Sequence, residues 1–107
     1  EQGARPEKVF HSCVHLRADG ELAAVYRKNH LFDVQLADGT ALQESASVEA
    51  GEQVVVTSTA LGPLGLSICY DLRFPELFRR LVDQGAIALA VPAAFTLTTG
   101  KDHWHVL

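Results

Sequence analysis

Read at a period of two, Lys8 to Leu16 places the apolar residues Phe10, Val14 and Leu16 on one side and Val9, His11, Cys13 and His15 on the other. A period of two predicts a strand. The turn-forming run Ala18-Asp19-Gly20-Glu21 follows, and Leu22 to Arg27 resumes a strand-like pattern, so the first structural unit reads as a β-hairpin. Between Asn29 and Gln53 the pattern fades and Gly39 and Gly51 interrupt it. The expectation there is a long loop with one short helical turn, and loops of that length in compact domains are commonly functional.

Val54 to Thr59 is rich in β-branched residues; a breaker cluster, Leu61-Gly62-Pro63-Leu64-Gly65, separates it from the apolar run Leu66 to Tyr70. This predicts a second hairpin, with Cys69 near the end of its returning strand. Pro75 suits the first turn of a helix, where its missing N–H costs nothing. Beyond it Leu77, Phe78, Leu81 and Val82 share one helical face, opposite Glu76, Arg79, Arg80, Asp83 and Gln84, and Gly85 is placed to follow the helix end. Ile87 to Val91 is a nearly continuous apolar strand of the kind buried on both faces. A loop from Phe95 to Gly100 then leads to the start of another helix over Lys101 to Leu107. The order ββ, loop, ββ, α, β, α predicts an α/β fold. One sheet layer with one complete helix leaves apolar strand faces uncovered, so the expectation is part of a larger domain.

Composition narrows the function. Nine basic residues stand against 13 acidic ones among 107, a net charge of −4, which argues against a nucleic-acid or anionic-membrane partner. No apolar run approaches the roughly 20 residues of a spanning helix, and Glu1 to Lys8 lacks a signal-peptide core. Two cysteines, Cys13 and Cys69, are too few for a disulfide scaffold and fit a reducing, cytoplasmic compartment.

Cys69 lies where a strand feeds a helix, in Ser67-Ile68-Cys69-Tyr70-Asp71-Leu72-Arg73-Phe74-Pro75-Glu76. A thiol at that rim can meet substrate while backbone N–H groups of the following turn face a developing oxyanion. The alternative is a buried, inert core cysteine. Lys28, in Tyr26-Arg27-Lys28-Asn29-His30-Leu31-Phe32-Asp33, is either a solvated strand end or an ammonium aimed into a pocket, where it would stabilise a thiolate and an oxyanion. Glu44 lies in the long loop, where most glutamates are simply solvated. Asp71 and Arg73 could pair with each other, or Arg73 could meet a substrate carboxylate. His11 and His15, at strand spacing, read as a packing feature. The pair His103 and His105 around Trp104 lacks accompanying carboxylates or thiols, so no metal site is expected.

The segments Tyr26 to Asp33 and Gly65 to Glu76 resemble the lysine and cysteine motifs of the nitrilase-like carbon–nitrogen hydrolase family. Leu42-Gln43-Glu44-Ser45 resembles the loop carrying that family's second glutamate, and Pro92-Ala93-Ala94-Phe95 and Thr99-Gly100 through His103-Trp104 also match its pattern. The resemblance runs over the whole chain and is nearest to the branch of deaminated glutathione amidase and omega-amidase. It implies an αββα sandwich, a homo-oligomer, normally a dimer, with no cofactor and a Glu-Lys-Cys catalytic set. By position Cys69 is then the nucleophile, Lys28 the cation beside it and Glu44 the supporting glutamate. Arg73 and Tyr70 are candidates for binding a small carboxylate-bearing amide. The family's general-base glutamate lies upstream of the lysine, and neither Glu1 nor Glu7 has its apolar context. Residues 1–107 are accordingly expected to be the central part of a hydrolase domain. Two rival readings are an inactive fragment serving as an interaction module and a thiol redox module using Cys13 and Cys69. The second lacks a Cys-x-x-Cys pair.

Overall fold

A computed structural model describes residues 2, 3, 5, 7–35 and 39–107. Glu1 and positions 36–38 of the expected loop thus lie outside the described residues. The first hairpin pairs β1 (Ser12–Leu16) with β2 (Leu22–Arg27) in antiparallel register, Ser12 opposite Arg27 and Cys13 opposite Tyr26. Its turn is closed by Arg17 N–H to the Glu21 carbonyl at 2.8 Å and Glu21 N–H to Asp19 Oδ1 at 3.0 Å. The strand begins later than Lys8; Val9 instead bridges Gln2 and Val48.

The segment expected to be loop contains a second small hairpin, β3 (Asp33–Gln35) with β4 (Ala41–Gln43), followed by a 3₁₀ turn over Glu44–Ala46. The helical turn was expected and the strands were not. Three residues per strand are too few to show a period, and only pairing defines them.

In the next unit β5 (Val56–Thr59) pairs antiparallel with β6 (Gly62–Leu66), which pairs parallel with β7 (Ala88–Ala90), giving a mixed sheet in the order β5-β6-β7. The Gly-Pro-Leu-Gly run read as a breaker is therefore the central strand. Pro63 stands near its start, where a missing N–H is tolerated, and its carbonyl accepts from Ile87 N–H at 3.0 Å. Gly65 is closely packed. A β-carbon there would lie 3.2 Å from Leu81 Cβ and 3.0 Å from Leu89 Cδ2.

Helix α1 (Pro75–Asp83) lies on this sheet and buries Leu77 and Leu81, with Phe78 half-buried. Val82, expected on the same face, is 58% exposed. Four apolar positions subtend a wider arc than one strand pair covers. Gly85, at φ +91°, turns the chain out of the helix, and the Ala86 N–H returns to the Leu81 carbonyl at 3.0 Å. The core joins Tyr26, Leu66, Leu77, Leu81 and Ala86, with Cys13 packed against it.

The strand expected over Ile87 to Val91 is not buried on both faces: Leu89 in β7 is 45% exposed and Ile87, just before it, 71%. The hairpin likewise leaves Val14, Leu16 and Leu22 more than half exposed. Helix α2 (Leu97–His103) starts four residues before the expected Lys101, because Thr96 caps it by accepting the Thr99 N–H at 3.2 Å. No described helix is long and apolar enough to cross a membrane.

Candidate active site

Lys28 stands one residue past β2 and is only 4% exposed. A buried ammonium without a counter-charge is costly, and here Glu44 supplies one, its Oε2 lying 2.6 Å from Nζ. The Glu44 carboxylate accepts two further N–H groups, Phe32 N–H on Oε2 at 2.5 Å and His11 Nδ1 on Oε1 at 2.6 Å. An ionised carboxylate only accepts, so His11 carries its proton on Nδ1 in this bond. Burial works to raise the Glu44 carboxyl, but the Lys28 bond, the Phe32 amide and His11 outweigh it and hold it below the usual glutamate range. The turn bearing Glu44 is itself tied down, with Ser45 N–H on Asp33 Oδ1 at 2.9 Å and Lys8 Nζ on the Ser45 carbonyl at 2.7 Å.

Cys69 lies three residues beyond β6, at the start of a 3₁₀ turn (Cys69–Arg73), rather than within the strand. Its φ is +47°, the only positive φ at a non-glycine among the described residues. That conformation crowds the β-carbon and persists only where the surroundings enforce it. They do so here through Cys69 N–H to the Pro92 carbonyl at 2.9 Å and Ser67 Oγ to the Ala90 carbonyl at 2.8 Å. A strained strand-to-helix turn is the backbone shape of a nucleophile elbow.

Asp71, two residues on, is fully buried and holds the turn to the end of β2. Oδ2 accepts from Tyr26 Oη at 2.7 Å and Ile68 N–H at 2.8 Å; Oδ1 accepts from His30 N–H at 3.0 Å and from His30 Nδ1 at 2.7 Å. The His30 ring stacks on Phe74 with centroids 3.8 Å apart. Asp71 is thus engaged and is not the partner of Arg73. The Arg73 guanidinium lies over the Tyr70 ring, 5.8 Å from its centroid, and has no carboxylate partner among the described residues.

All five residues singled out from the sequence, Lys28, Glu44, Cys69, Tyr70 and Arg73, line one cavity of about 750 Å³. Phe32, Pro92, Ala93 and Phe95 give it apolar walls. Trp104 packs edge-on against Phe95, with centroids 5.4 Å apart. Cys13 belongs to the core instead, and burial pushes its thiol up, away from the reactive thiolate. Both cysteines are free. His11 was read as packing, yet it lines the cavity and bonds Glu44, while His15 Nδ1 meets Thr57 Oγ1 at 2.9 Å. The hairpin register holds the missing signal: one step beyond Ser12 opposite Arg27, His11 faces Lys28. The Tyr26–Asp71–His30 network left no comparable trace in the sequence. Among the described residues no three His, Cys, Asp or Glu side chains gather to hold a metal.

Comparison with known proteins gives the family. The family described as carbon-nitrogen hydrolase matches residues 1–107. A deaminated glutathione amidase of Synechocystis is 53% identical over 102 residues, covering 94% of this chain and 38% of the relative. An omega-amidase of Saccharomyces cerevisiae is 39% identical over 103 residues, covering 96% and 35%. Among solved structures, the Caenorhabditis elegans NitFhit protein superposes with a TM-score of 0.84 at 41% identity, covering 92% of this chain and 24% of that one. Nit3 of Saccharomyces cerevisiae, described as a member of branch 10 of the nitrilase superfamily, gives 0.78 at 36% identity, covering 92% and 33%. An amidase variant from Nesterenkonia sp. AN1, with acrylamide added at its active-site cysteine, gives 0.74 at 30% identity, covering 92% and 36%. The chain spans 35–38% of the length of those two curated relatives. With a family match over its whole length and the nitrilase-superfamily α/β fold, the chain belongs to the carbon–nitrogen hydrolase family.

Proposed function

We propose that the protein is an amidase that hydrolyses a small carboxylate-bearing amide through a thioester on Cys69 and releases ammonia. The observation that carries this is one cavity shared by a cysteine on a strained turn and a buried Lys28–Glu44 ion pair. Lys28 and Cys69 line the same cavity, so the ammonium can meet the negative charge that develops when the thiolate, the reactive form of a cysteine, attacks. Cys69 Sγ attacks the amide carbon and the carbonyl oxygen becomes an oxyanion, stabilised by Lys28 and by the backbone N–H after Cys69. Collapse breaks the C–N bond, and ammonia leaves with a proton from a general acid. Water then attacks the thioester, gives its proton to the same group acting as base, and returns the thiolate with the carboxylic acid. That proton carrier is a glutamate upstream of Lys28, as the family resemblance implies, since Glu44 already serves Lys28.

Arg73, without a carboxylate partner among the described residues and with its guanidinium over Tyr70, binds the substrate carboxylate in this reading. The relatives named as deaminated glutathione amidase and omega-amidase support an amide of this class. The protein works as a cytoplasmic homo-oligomer, a reading supported by two free thiols and by exposed apolar side chains along β1, β2 and β7.

The test is ammonia release by the full-length protein from a short monoamide of a dicarboxylic acid, with wild type and Cys69→Ala compared. Loss of turnover in the variant, and a wild-type mass increase equal to the acyl group on quenching, are expected. Turnover retained by Cys69→Ala overturns the assignment. Arg73→Lys should raise KM for the charged amide, and an unchanged KM removes Arg73 from the role.

A further inference from the structure

We propose that His11 is a positioning residue of this site, acting on Lys28 through Glu44. The inference rests on the roles proposed above for Lys28 and Cys69.

A carboxylate has two oxygens, and rotation about its last side-chain bond exchanges them. Oε2 of Glu44 is held by Lys28 Nζ and by the Phe32 amide. Oε1 is held by His11 Nδ1 at 2.6 Å. His11 thereby fixes the plane of the carboxylate, and with it the direction in which Lys28 is held. Charge-assisted bonds of this length are the stronger class of hydrogen bond.

The backbone explains why a residue at position 11 can do this. The Lys28 N–H donates to the His11 carbonyl at 2.9 Å, extending the β1–β2 register by one pair. Directly opposed residues project from the same face of an antiparallel pair with β-carbons about 5 Å apart. One carboxylate can therefore be gripped by both side chains at once. A residue kept only for packing would be covered, yet the His11 side chain is 51% exposed and lines the cavity.

The experiment compares His11→Leu, which removes the donor, with His11→Asn, whose side-chain amide places an N–H close to where Nδ1 stands. Two readouts are taken on the full-length protein: steady-state kinetics, and the rate of Cys69 alkylation by iodoacetamide at neutral pH. Alkylation follows the thiolate and needs neither substrate binding nor turnover. His11→Leu should lower kcat and the alkylation rate together by roughly tenfold with KM little changed, as for one charged hydrogen bond lost. His11→Asn should restore most of both. Wild-type values in His11→Leu, a rise in KM alone, or equal impairment of both variants would each overturn the proposal. Should His11→Leu fail to fold, His11→Gln, whose amide sits where Nε2 rather than Nδ1 would be, takes its place with the same expected loss. Cys69→Ala run in parallel separates the two readings, because its activity bears on the thioester mechanism and leaves the His11 comparison to be judged by alkylation.

Discussion

Tyr26 donates its phenol hydrogen to Asp71 Oδ2 at 2.7 Å, and both side chains are fully buried. One residue belongs to β2, two positions before Lys28; the other belongs to the turn, two positions after Cys69. The bond therefore fixes the ammonium-bearing segment against the thiol-bearing one. Burial first, and then the bond to Asp71, push the Tyr26 phenol well above the ordinary tyrosine range, so it stays a donor at any working pH.

Tyr26→Phe keeps the ring in the core and deletes only that donor. The Asp71 carboxylate keeps Ile68 and His30 but loses one of four bonds, which should cost about 1–3 kcal/mol. Urea denaturation should show the loss as a lower midpoint with an unchanged slope. A variant as stable as wild type would mean that the network carries no net stability.

Glu44 contributes a pH dependence of known sign. Its carboxyl is held below its ordinary value of 4.5, so in acid the unfolded chain takes up this proton before the folded one does. The stabilisation is therefore complete above that value and is lost as pH falls through the lowered folded value. Glu44→Gln should flatten the wild-type fall in stability as pH drops below 4.5, read by denaturation at several pH values. The same variant leaves Lys28 buried without its counter-charge and should cut kcat by roughly 10²-fold or more.

Gly51 donates its N–H to the Lys28 carbonyl at 2.8 Å, and a β-carbon there would collide with the Arg27 carbonyl oxygen. The contact is with backbone and cannot swing aside. Gly51→Ala should therefore displace the end of β2, costing roughly 1–3 kcal/mol and slowing turnover as well. A thermal melt together with ammonia-release kinetics checks both effects. Full activity would show that β2 tolerates the shift.

Leu81 is fully buried between α1 and the mixed sheet, close to Gly65. Leu81→Ala leaves a cavity at the centre of the core and should destabilise by about 2–5 kcal/mol. The neighbouring Val82→Ala, at a residue 58% exposed, should change stability far less. Measured side by side, the two separate the face of α1 that packs from the face that only looks as if it should.

The sequence by itself determined the elements whose signals are local. The first hairpin follows from two strand-like runs around the Asp19-Gly20 turn, and α1 follows from Pro75, a helical apolar stripe and Gly85. It also carried Lys28, Glu44, Cys69, Tyr70 and Arg73, because their motifs are runs of neighbouring residues. Tertiary structure alone decided what depends on distant partners. The Gly62–Leu66 strand exists because β5 and β7 pair with it on either side and α1 presses on Gly65. The state of Glu44 is set by donors at positions 11, 28 and 32, and that of Asp71 by donors at 26, 30 and 68. Periodicity records which way a side chain points along its own element, whereas a charge is fixed by what lies within about 3 Å of it in space.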